Sequence, residues 1–148
     1  MIVWILLLCF LIMFIPVTPE RMRPLDSLFL RASRQGIVPI VRTALAAGAD
    51  LETRTIWGST PLILAAIYGR LEVAKLLLCA GANIDAPCEG GCTPLMFAIC
   101  YRRLDLVKLF LKFGANPNVK DRDGETALAL ALRRDTEIVN LLREAGAK

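Results

Sequence analysis

Apolar residues are distributed along this chain in two ways. From Met1 to Ile15 the sequence MIVWILLLCFLIMFI is apolar without a break. From about residue 25 onward, apolar residues instead come in short bursts that restart at a fixed interval. GSTPLILAA begins at Gly58, GCTPLMFAI at Gly91 and GETALALAL at Gly124, each 33 residues after the last. Ala32, Ala65, Ala98 and Ala131 keep that interval, as do Gly48, Gly81 and Gly114. Gly146 follows at 32, because one residue is missing between Arg133 and Glu137. Four units result, the first and last imperfect.

Each unit predicts two short helices. In the second, Thr60 stands before an apolar run and suits an N-cap, and Pro61 suits the first helical position. Leu62, Leu64, Ala65 and Ala66 form a small apolar helix, broken at Gly69-Arg70. Leu71 to Ala80 forms the second helix, with Gly81 as a left-handed C-cap. Its Leu71, Val73, Ala74, Leu76, Leu77 and Leu78 are too many for one stripe, so it needs neighbours on more than one side. Leu77, and Leu109 in the next unit, fall mid-helix and are expected in the core. The following ANIDAPCEGG is turn-rich and predicts a hairpin or extended loop. No unit can bury its apolar surface alone, so units stack side by side as a solenoid. The recurring alanines mark where adjacent helices approach closely.

GxTPLxxAA, a glycine, an apolar second helix and then GAN or GAD: this pattern resembles the ankyrin repeat. The resemblance runs from about residue 25 to the end, with repeats at about 26–56, 57–89, 90–122 and 123–148. It implies an all-α, L-shaped solenoid of stacked helix pairs with hairpin loops projecting on one side, here preceded by one hydrophobic helix. There are departures. Where the family carries His after Thr-Pro-Leu, this chain has Ile63, Met96 and Ala129, so the inter-loop bonds of that His are absent. The first unit has Ser27-Leu28 in place of Thr-Pro, and the fourth has Thr126-Ala127.

Residues 1–17 are a separate object. A helix of 15 to 17 residues rises only about 22–26 Å against roughly 30 Å of hydrocarbon, short for a span but within reach of local thinning. No basic n-region precedes the apolar run, and Pro16-Val17-Thr18-Pro19 is not a small-residue cleavage site. Arg21 and Arg23 follow it, which predicts a single-pass anchor with the repeats in the cytosol. A cleaved signal, leaving a secreted or periplasmic protein, and a helix packed into a larger complex are the competing readings. Residues 18–25, TPERMRPL, read as a short stiff linker.

Lys and Arg number 18 and Asp and Glu 14, so the net charge of +4 is too mild for a nucleic-acid module. Histidine is absent, and with it the commonest general base and metal ligand. There is no phosphate loop and no nucleophile–base pair, so no enzyme activity, cofactor, metal or small-molecule substrate is expected. The five cysteines, Cys9, Cys79, Cys88, Cys92 and Cys100, are an odd set that fits a reducing compartment. CEGGC at 88–92 reads as a hairpin turn, not a zinc site, and KDRDGET lacks calcium-ligand spacing.

A binding surface is the functional candidate. In the ankyrin family, partners meet the hairpin tips and the concave face of the first helices. Period alignment puts Ile67, Cys100 and Arg133 in one row there and Tyr68, Tyr101 and Arg134 in the next, with Trp57 at a hairpin tip. These seven are the expected contacts for a protein partner. The plainer alternatives are Trp57 packed on the next hairpin and the tyrosines simply solvated. Arg102-Arg103 and Arg133-Arg134 fall in adjacent inter-helix turns, where they are either solvated or a patch for anionic headgroups. The sequence thus points to a membrane-anchored scaffold for protein–protein interaction, or else a structural subunit of a membrane complex.

Overall fold

The computed structural model describes residues 23–148. The hydrophobic segment 1–17 and most of the linker lie outside them. No helix among the described residues is long and apolar enough to cross a membrane.

Eight helices among the described residues form four pairs: α1 (Pro24–Gln35) with α2 (Val38–Ala46), α3 (Pro61–Tyr68) with α4 (Leu71–Cys79), α5 (Pro94–Cys100) with α6 (Leu104–Lys112), and α7 (Ala127–Leu132) with α8 (Thr136–Glu144). Their starts follow from the repeated polar residue. The Oγ1 atoms of Thr60, Thr93 and Thr126 accept the N–H groups of Ile63, Met96 and Ala129 at 3.3, 3.4 and 3.4 Å, one cap per unit. In the first unit Pro24 takes the opening position, so α1 starts a turn earlier and Ser27 lies inside it, donating to the Pro24 carbonyl at 2.9 Å. Its first turn is closed by Arg23 on the buried Asp26 carboxylate at 2.8 Å.

The first helices α1, α3, α5 and α7 touch one another in series, more closely than α2, α4, α6 and α8 do. A stack tighter along one layer curves towards it, which makes the first-helix side concave. Ala32, Ala65, Ala98 and Ala131 are all buried in that inner layer. The second helices contribute Val41, Leu77, Phe110 and Leu142 to one continuous core. Leu77 is fully buried as expected; its counterpart in the next unit is Phe110, also fully buried, whereas Leu109 is only half-buried.

Between units the loops are tied by a ladder of side-chain acceptors. Glu52 Oε1, Asp85 Oδ1 and Asn118 Oδ1, 33 residues apart, accept the backbone N–H of Asn83, Asn116 and Lys148 at 2.8, 3.0 and 2.9 Å. Arg54 adds a second tie, donating to the Gly58 carbonyl at 2.9 Å and to the Pro87 carbonyl of the next unit at 2.6 Å. These bonds join loop to loop without the family's His.

The fourth unit differs at its inter-helix turn. Gly36, Gly69 and Arg102 turn there with φ of +82°, +68° and +53°. The missing residue of unit four removes the left-handed position, and Asp135 instead caps α8 by accepting the Glu137 N–H at 2.9 Å. That N–H, and then the Arg102 guanidinium at 3.2 Å, hold the Asp135 carboxyl below its ordinary pKa.

Candidate functional site

Three hairpins project from the stack, closed by Thr55–Ser59, Cys88–Cys92 and Asp121–Glu125 backbone bonds of 3.0 Å each. Gly58 and Gly91 turn at φ +71° and +81°, and a Cβ on either would press within 3.0 Å of the next hairpin's backbone. Adjacent hairpins therefore lie flush, and residues at their tips have little core to enter. Ile56 and Trp57 occupy the first tip and are 78% and 72% exposed. Trp57 is thus not packed away against its neighbour.

Beneath that tip runs a groove of about 550 Å³, floored by α1 and α3 and walled by the first two hairpins. Trp57, Ile67 and Tyr68, one from the tip position and one from each of the two aligned rows, all line it. Tyr68 is exposed at the end of α3, and the Arg34 guanidinium lies 5.8 Å from its ring centroid, a cation–π distance. Leu30, Leu64 and Phe97 add to the apolar lining, and Arg31 joins Arg34 on the unit-one side.

Cys100, Tyr101 and Arg134 stand apart from that group. They line a second hollow of about 360 Å³, joined to the first through Phe97, which lines both. Tyr101 is exposed, while Cys100 is half-buried and burial pushes its thiol pKa up. Arg133 is the one predicted residue that enters neither hollow. It pairs with Glu125 at 2.6 Å and borders a shallow depression with Arg102 and Leu132. The turn arginines are largely engaged: Arg102 with Asp135 at 3.2 Å, and Arg134 with the Cys100 carbonyl at 3.2 Å.

CEGGC forms the second hairpin. Burial, with Cys88 and Asp121 close by, pushes the Cys92 thiol up to about 11. A thiol held protonated in this way is a weak nucleophile at neutral pH. Among the described residues no three His, Cys, Asp or Glu side chains gather to hold a metal ion. Asp121 serves its own hairpin, accepting the N–H groups of Asp123 and Glu125 at 3.0 and 2.9 Å.

The sequence rows start at the second unit and so omit the contribution of the first. Extending them back one period would have found Arg34, in line with Ile67, Cys100 and Arg133. Moving one helical turn towards the N-terminus would have found Arg31, Leu64 and Phe97, themselves 33 apart.

A family model described as ankyrin repeats (3 copies) matches residues 28–121 and, again, 87–148. No curated protein is matched by the chain.

Proposed function

The chain belongs to the ankyrin-repeat family, and from that premise we propose that it is a membrane-anchored scaffold whose concave groove binds a protein partner. Ankyrin repeats are protein–protein interaction modules and typically non-catalytic. One observation carries the choice of surface: Ile56, Trp57 and Tyr68, all exposed, converge on an apolar groove instead of scattering over the surface. Aromatic side chains in such settings are the usual energetic anchors of interfaces.

Anchoring rests on the sequence, on the unbroken apolar run followed by Arg21 and Arg23. Carbonate extraction is expected to leave the full-length chain in the membrane pellet; its release would remove the anchor. For the interface, partners recovered from detergent-solubilised membranes are compared between wild type and the Trp57→Ala, Tyr101→Ala double variant, both of normal melting temperature. Loss of a partner from the variant is expected, and equal recovery would place the interface elsewhere.

A second reading, a structural subunit of a larger complex, draws on Leu132. It is 60% exposed at the end of the stack, where its counterpart Ile99 is fully buried. Migration of the native protein on a size-resolving gel at the mass of a stable assembly would favour this reading.

A further inference from the structure

The groove is apolar along Ile56, Trp57, Leu64, Ile67 and Phe97, but its unit-one side carries Arg31 and Arg34. No Asp or Glu is among its lining residues. The ion pairs among the described residues are Arg23–Asp26, Lys75–Glu72, Arg102–Asp135, Lys108–Glu137 and Arg133–Glu125, and neither Arg31 nor Arg34 is in one. The cation–π contact of Arg34 with Tyr68 uses the charge of the guanidinium and leaves its N–H donors for an acceptor.

The repeat shows what an arginine at this register takes. Arg133 is the counterpart of Arg34, three periods on, and it holds Glu125 of its own unit at 2.6 Å. The counterpart of Glu125 in the first unit is Asp26. Asp26, however, is turned to Arg23, with bonds of 2.8 and 3.1 Å, and is buried there. The carboxylate that would serve Arg34 is therefore committed elsewhere. Arg34 faces the groove with the same donor set as Arg133 and no acid of its own.

Resting on the groove reading above, we infer that the partner is a polypeptide segment with an Asp or Glu close in sequence to a large apolar side chain. The apolar side chain lies against Trp57, Ile67 and Phe97, and the carboxylate takes the N–H edges of Arg34 and Arg31. The two parts supply different things. Burial of the apolar anchor provides affinity, and the unpaired cations reject segments that present Lys or Arg at that place.

The test is a selection of random twelve-residue peptides displayed on phage against the full-length chain in lipid nanodiscs, with empty nanodiscs subtracted. Enriched peptides are expected to share an acid beside Leu, Met, Phe or Trp. For the tightest one, made synthetically, Arg34→Ala should weaken binding about tenfold, the size of one charge-assisted contact. Converting the peptide's acid to its amide should cost the same in wild type and little further in the variant. If binding needs Trp57 but ignores Arg31 and Arg34, or if basic or uncharged peptides are enriched, the acidic-segment inference is overturned while the groove stands. If no peptide is enriched, or if Trp57→Ala leaves binding unchanged, the groove reading falls with it.

Discussion

At the N-terminal end of the inner surface, Arg34 lies over Tyr68 with no ion pair among the described residues, and Ile56 and Trp57 stand exposed above an apolar groove. At the C-terminal end, its counterpart Arg133 is closed onto Glu125, Arg134 onto the Cys100 carbonyl, and Arg102 onto Asp135. Both ends stand on the same backbone period. The period fixes where each side chain emerges, and local pairing decides whether it is free to meet another molecule. Among the described residues, Arg102 and Arg133 at one end are paired, and at the other Arg31 and Arg34 stand without an ion pair beside exposed aromatic rings.

That contrast requires one shared core beneath both ends, and the largest expected effect tests it. Leu77→Ala, at a fully buried site in the second unit, should cost about 2–5 kcal/mol in denaturant unfolding. Leu142→Ala removes the counterpart in the fourth unit, which among the described residues packs against the third unit only, and should cost less in cooperative stability. Equal losses would mean that the final unit is as firmly held as the centre. The next effect is on binding. Trp57→Ala should cost 2 kcal/mol or more, about thirtyfold in partner affinity, with the melting temperature unchanged, whereas Leu132→Ala at the other end should leave affinity alone. Titration calorimetry with an identified partner reads both.

Smaller effects sharpen the contrast. Thr60→Ala removes a fully buried cap and should lower stability by about 1 kcal/mol; Thr126→Ala, at a half-buried cap on the shortest helix, should lower it less. Arg133→Ala breaks an ion pair whose arginine side chain is 68% exposed, and should change stability by less than about 1 kcal/mol, vanishing at high salt. A larger, salt-independent loss would show that the C-terminal cations support the fold itself.

The period, the Thr caps and the glycine stops were legible because each answers a backbone need that recurs from unit to unit, the Thr cap in units two to four. The inter-unit ladder was hidden because its acceptors, Glu52, Asp85 and Asn118, are three residue types doing one job. In the first unit the cap pattern is absent, and the helix opens on Pro24. The groove was legible in part. Trp57, Ile67 and Tyr68 came from the interval together with the contact positions the family resemblance implies, but the role of Arg34 depends on Asp26 having turned to Arg23. A hydrogen-bonding choice between two arginines leaves no mark on the spacing. For the same reason Arg133 reads as a surface contact in sequence, although its guanidinium is occupied by Glu125.

The most direct test of the groove as the partner's seat is photo-crosslinking in intact cells. A benzophenone amino acid replaces Tyr68 in one variant and Lys75, exposed on the outer helix α4, in another. The account predicts a discrete polypeptide adduct from position 68 that disappears when Trp57→Ala is added, and none from position 75. An adduct from position 75 alone, or one from position 68 that survives the loss of Trp57, would contradict it.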